Sequence, residues 1–136
     1  RRIPAGRVYS TELSRDRRQD ISRAVVAAGL TNVTVVEAGE RTTSLEPGCC
    51  DAIYMRRVYH HFTDVEAIND SLRAALKPGG RLVIIEFNPE GPIGLLTRMG
   101  LTREQLIEQV TAAGFSAVTS GEWPRWQHYV AVFERR

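Results

Sequence analysis

Hydrophobic and polar positions along this chain switch repeatedly between a strand-like and a helix-like period. Residues 6–13, GRVYSTEL, follow a Pro/Gly turn and read as a short strand. Ser14 stands where an N-cap would, and Asp16 lies in the first turn, where the helix dipole favours an anion. Ile21, Val25 and Ala28 then make an apolar stripe at helical spacing, and Gly29 supplies a stop just past the end. Val33 to Glu37 is a β-branched run and predicts a second strand, followed by a polar, turn-rich loop from Gly39 to Gly48.

Asp51 to Met55 reads as a third strand ending in the polar turn Arg56-Arg57. Thr63-Asp64-Val65-Glu66 has the spacing of a capping box with Thr63 at the N-cap, and Val65, Ile68, Leu72 and Leu76 share one face of the helix that follows. Lys77-Pro78-Gly79-Gly80 stops that helix. Arg81 to Phe87 is apolar without alternation, as in a strand buried on both faces of a parallel sheet. Residues 88–100 are a Pro- and Gly-containing surface excursion. Thr102 and Gln105 form a second capping box, flanked by Leu101 and Leu106 at the staple positions, and that helix ends at Gly114. Strands over 115–120 and 128–134 close the chain. No helix separates them, so they should pair antiparallel. The alternation predicts a doubly wound α/β fold with six strands and three long helices.

Composition narrows the functions open to such a fold. No apolar run approaches the roughly 18 residues that a membrane helix needs. Eighteen basic residues are interleaved with 16 acidic ones for a net charge of +2, so no stripe for nucleic acid stands out. The two cysteines, Cys49 and Cys50, are neighbours and suit neither a disulfide framework nor a zinc site, which makes a reducing, cytoplasmic setting the default.

Ligands of open α/β sheets sit beyond the carboxyl ends of the strands, and two stretches lie there. Glu12 ends the first strand, where a carboxylate can accept hydrogen bonds from both hydroxyls of a ribose; the alternative is a solvated loop glutamate. After the third strand comes RRVYHHFTD, residues 56–64. His60 and His61 are adjacent and face different ways, which argues against a metal pair. One imidazole could act as a general base, since the group titrates near neutrality; the bland alternative has one packed under the loop and the other in solvent. The KPGG turn has no phosphate-cradle spacing. Trp123 and Trp126 flank Pro124 in the last connection, as a substrate lid or a hydrophobic plug.

The blocks GRVYSTELS, LTNVTVVEAGE, EPGCCDAIYMRRVYHHFTD, LRAALKPGGRLVIIEF and LTREQLIEQVTAAGF resemble successive segments of class I S-adenosylmethionine-dependent methyltransferases. The resemblance runs over nearly the whole chain, and its most specific parts are the strand followed by YHHFTD and then ALKPGGRLVIIEF. It implies a Rossmann-like sheet of seven strands with a reversed C-terminal hairpin, of which this chain holds the second to the seventh as one incomplete domain. It implies S-adenosylmethionine as cofactor, with Glu12 on the ribose and Leu13 beside it. Gly39, followed by Glu40, stands where the family places an adenine-side Asp. Arg56 and Arg57 would line the methionine end, with Tyr59 and His60 toward an unidentified methyl acceptor and His60 as the base.

The family's first strand, glycine-rich loop and first helix, roughly 30 residues, have no counterpart here. That strand belongs between those at Val8 and Ile53, so a gap or an unusual pairing is expected there, and cofactor binding by these residues alone should be poor. A nicotinamide-dependent Rossmann enzyme is a second reading, disfavoured by the antiparallel hairpin. A non-catalytic interaction module, with open strand edges promoting homo-oligomers, is a third.

Overall fold

The computed structural model describes residues 6–91, 95–96, 100–123 and 128–136. Its strands are β1 (Val8–Glu12), β2 (Val33–Glu37), β3 (Cys50–Arg56), β4 (Leu76–Phe87), β5 (Phe115–Trp123) and β6 (His128–Arg135). The helices are α1 (Arg15–Ala27), α2 (Val65–Ala75) and α3 (Arg103–Ala112), with a 3₁₀ turn at Tyr59–His61. The expected α/β class, parallel strands and antiparallel terminal hairpin are all present. The Trp126 end of the last connection lies outside the described residues.

The strands form two sheets rather than one. β1 and β2 pair in parallel, from Val8 opposite Val33 to Glu12 opposite Glu37. The other four run in the order β3-β4-β6-β5, with β3 parallel to β4 and the remaining pairs antiparallel. β1 and β3 are therefore each paired along one edge only, and they do not pair with each other. An open edge leaves a row of backbone donors and acceptors unmatched. The interruption falls between Val8 and Ile53, where the family resemblance leads one to expect a gap or an unusual pairing.

β4 is the centre of the core. Leu82, Ile84, Ile85 and Phe87 are buried along it, and Ile68, Leu72, Leu106, Val110, Phe115 and Phe133 pack around them or beside them. Burying each such side chain is worth about 1.5–3 kcal/mol, so this half of the molecule carries most of the apolar stabilisation. α1 differs. None of its residues is buried, and Ile21 and Val25 are only half-covered. Its predicted stripe is real, but a two-stranded sheet is too narrow to cover it.

Two local expectations shift. The N-cap of α2 is Asp64, whose carboxylate accepts from the Ala67 N–H at 3.0 Å, and not Thr63. The 3₁₀ turn holds the chain through Phe62, which leaves Thr63 exposed and puts the next side chain at the helix end. β4 also begins earlier than expected. Leu76 leaves the helical face and pairs with Cys50, and the ladder resumes at Ala52 opposite Arg81. Residues 77–80 bulge out between them, with Gly79 at φ +73°. The box at Thr102 and Gln105 is formed reciprocally, at 3.1 and 2.9 Å.

Candidate functional site

The carboxyl ends of β3 and β4 bring together a cluster that sequence spacing had only half indicated. β4 is buried on both faces, yet its sixth apolar-run position is an acid, Glu86, with no exposure at all. A buried carboxylate must find donors. One oxygen of Glu86 accepts the backbone N–H of Tyr59 at 2.8 Å and that of His60 at 3.4 Å. The other accepts the Phe87 N–H at 3.2 Å and lies 2.7 Å from His60 Nδ1. Its neighbours are thus all donors, with Nδ1 carrying the ring proton in that pair. The 3₁₀ turn exists because Glu86 gathers its backbone.

This arrangement leaves Nε2 of His60 as the lone-pair nitrogen. The His60 side chain is 8% exposed, and Nε2 is buried without a hydrogen-bond partner. An imidazole held at one nitrogen by a carboxylate and unpartnered at the other has the chemistry a positioned general base needs. His61 is exposed and lies alongside it, ring centroids 4.0 Å apart.

Tyr59 does not join the cluster. It is buried in the core at 1% exposure, and its hydroxyl donates to Asn69 Oδ1 at 3.2 Å while accepting from Asn69 Nδ2 at 2.9 Å. Burial pushes its phenol above the ordinary value. The expected substrate-side role of Tyr59 gives way to an anchor for the turn, because the residue before His60 points inward when His60 meets Glu86. Glu86 itself was missed, although an acid inside a run of buried apolar residues is a readable signal.

Arg57, expected at the methionine end, takes a left-handed backbone at φ +58°, with its N–H donating to Ile85 O at 2.8 Å. Its guanidinium carbon lies 4.8 Å from the centre of the Phe87 ring. Arg56 is exposed beside it. His128, opening β6, stacks on Phe87 at 4.8 Å. Desolvation first, then the charges of Arg56 and Arg57, hold its pKa below 6.5.

The other expected residues gather at the ends of β1 and β2. One oxygen of Glu12 accepts the Ser14 N–H at 2.9 Å, and the Glu12 carbonyl accepts from Ala38 at 3.2 Å. Leu13 is half exposed, and its carbonyl accepts from Arg18 at 2.5 Å. Gly39 closes a tight turn, its N–H donating to Thr42 O at 2.9 Å; a Cβ there would lie 2.9 Å from Thr42 Cγ2. Glu40 is exposed. The Glu12 carboxylate, half-buried and anchored through one oxygen, can receive ribose hydroxyls on the other. The ribose side of a nucleoside cofactor therefore fits.

A family model described as a methyltransferase domain matches residues 1–84. A demethylmenaquinone methyltransferase of Thermus thermophilus is 31% identical over 104 residues, which is 75% of this chain and 47% of that protein. This chain thus spans about half the length of that relative. Among solved structures, a SAM-dependent methyltransferase from Aquifex aeolicus superposes with a TM-score of 0.89 at 20% identity, over 98% of this chain and 71% of that one. The [4+2]-cyclase SpnF superposes at 0.82 with 14% identity, over 96% and 66% of the two chains. One backbone thus carries differently named activities, and the side chains must decide between them.

Proposed function

The chain belongs to the methyltransferase domain family, and from that premise we propose that its site serves transfer of a methyl group from S-adenosylmethionine to an acceptor whose nucleophile must lose a proton, a hydroxyl above all. The observation that carries this reading is His60, clamped by Glu86 at Nδ1 with Nε2 buried and unpartnered.

The cofactor, when bound, supplies an electrophilic methyl on a good leaving group. Glu12 would hold its ribose hydroxyls, with Leu13 and the Gly39-Glu40 turn beside them. His60 takes the proton from the acceptor at Nε2, and Glu86 stabilises the imidazolium that results. Residues of the 3₁₀ turn keep that imidazole in place, since Glu86 also holds the turn's N–H groups. A proton acceptor so positioned contributes about 10²–10⁴-fold. Residues 1–136 act as a single domain in this reading.

Formation of S-adenosylhomocysteine against a panel of phenolic and alcoholic acceptors tests the reading. Replacement of His60 by Ala should lower turnover by about 10²–10⁴-fold while leaving cofactor affinity nearly unchanged, because the residue meets the acceptor's proton and not the nucleoside. Unchanged turnover would remove His60 from the chemistry. Titration calorimetry of the chain with S-adenosylmethionine should give affinity weaker than micromolar, and weaker again in Glu12→Ala.

A further inference from the structure

Cys49 and Cys50 are the only cysteines of the chain, both free, and they sit at the amino end of β3, away from the His60–Glu86 pair beyond its carboxyl end. Their sulfurs are 2.7 Å apart although the residues are consecutive. Neighbouring side chains of a regular strand point to opposite faces, so this approach needs an irregular backbone. Gly48 provides it, turning the chain at φ +65° while its N–H donates to Ala74 O at 2.8 Å. The Cys49 N–H donates back to Glu46 O at 3.2 Å. On the other side Cys50 pairs with Leu76 before the register shifts at Ala52. The turn, α2 and β4 thus fix the backbone of both cysteines.

Burial divides the pair. Cys50 is 9% exposed within the core, whereas Cys49 is half-buried against it. Desolvation first, then the Cys49 sulfur and the Asp51 carboxylate, push the Cys50 thiol up to about 12, with Lys77 acting in the opposite sense. Two sulfurs so placed could close a disulfide or share a ligand, and chain geometry decides between these. Consecutive Cα atoms lie about 3.8 Å apart, short of the roughly 4.4–6.8 Å that a relaxed disulfide spans. Direct closure is therefore strained, and a strained disulfide is readily reduced. A soft atom set between the sulfurs lengthens the bridge and relieves the constraint. Zinc would lack the rest of its four ligands, but trivalent arsenic is satisfied by two sulfurs and one further group.

We propose that Cys49 and Cys50 form a chelating dithiol site for a trivalent arsenical. With phenylarsine oxide, both S–H bonds and the arsenic–oxygen bond break and two As–S bonds form. The oxygen leaves with the two protons as water, arsenic stays trivalent, and no oxidant is consumed. Because the second As–S bond closes within the same pair, the chelate exceeds a single thiol by about 10²–10⁴-fold. The turn holds both sulfurs together before the ligand arrives, which lowers the ordering cost of binding. The site is independent of the methyl-transfer reading.

The full chain, first reduced with a phosphine, is titrated with phenylarsine oxide, and the remaining thiols are counted by maleimide labelling and mass spectrometry. One equivalent should block both thiols. Excess glutathione should leave the adduct in place, and dithiothreitol, itself a chelating dithiol, should remove it. Cys49→Ser and Cys50→Ala should each weaken binding about a hundredfold or more. Cys49→Ser alters a half-buried side chain outside the core, so it carries the test if Cys50→Ala folds poorly. A synthetic peptide of residues 46–52 should bind roughly tenfold more weakly than the folded chain, because it must order both side chains on binding. No uptake, two equivalents bound, release by glutathione, or native affinity in a folded single variant would overturn the chelate. Equal affinity in the peptide would overturn the part assigned to the fold.

Discussion

Replacing Glu86 by Gln changes one oxygen into an amide nitrogen and leaves the shape intact. The remaining oxygen can stay with the Tyr59 and His60 N–H groups, at 2.8 and 3.4 Å in the native site. The new NH₂ then faces His60 Nδ1 and the Phe87 N–H, which lie 2.7 and 3.2 Å from the native oxygen. His60 can accommodate this by moving its proton from Nδ1 to Nε2 and accepting from the amide. The Phe87 N–H has no such escape and loses a charge-assisted bond worth about 1.5–3 kcal/mol. Glu86→Gln should therefore fold with a Tm lower by roughly 5–15 °C. Its His60 should carry the proton on Nε2, read from the two ring nitrogens in ¹⁵N NMR. Turnover in any acceptor assay should fall by about 10²–10⁴-fold, because the nitrogen that must accept a proton already has one. An Nε2 without its proton in the variant, together with native turnover, would refute the dyad.

Three other outcomes follow from the same structure. Asp64→Ala should lower stability by about 1 kcal/mol in thermal melts and Thr63→Ala by much less, because only the first removes the α2 cap. Gly100→Ala should destabilise strongly in the same assay, since φ is +96° there and a Cβ would stand 2.7 Å from Phe87 O. The folded-state pKa of His128 lies below its value of 6.5 in the unfolded chain, so the unfolded state binds the extra proton first. Stability should fall as the pH drops below about 6.5, and His128→Phe should flatten that limb of a denaturant–pH series.

Most elements were legible because their burial is repetitive. The β-branched run from Val33 to Glu37 and the apolar run from Arg81 to Phe87 fall in strands as read. The box at Thr102 and Gln105 is local chemistry, and local chemistry survives folding. Thr63 misled because the cap depends on the preceding 3₁₀ turn, and that turn depends on Glu86, more than twenty residues away. For the same reason the pairing of His60 with Glu86 was hidden, since only the parallel register of β3 and β4 brings them together. Tyr59 and His60 are adjacent in sequence, yet one side chain packs into the core and the other meets Glu86, a division that no one-dimensional pattern contains.

The interrupted sheet bears on how the molecule comes apart. β1, α1 and β2 hold mainly to one another and bury none of their side chains fully, whereas β3, β4, β5 and β6 share one dense core. Such a chain should have two cooperative units of unequal strength. The amides of β1 and β2 should exchange with solvent through openings that leave β4 protected, and melting followed at Tyr9 should precede melting followed at Tyr129. Unfolding would then be more than two-state, so no single free energy would describe this chain. The His60–Glu86 pair, held entirely within the stronger unit, would outlast the end of the sheet that carries Glu12.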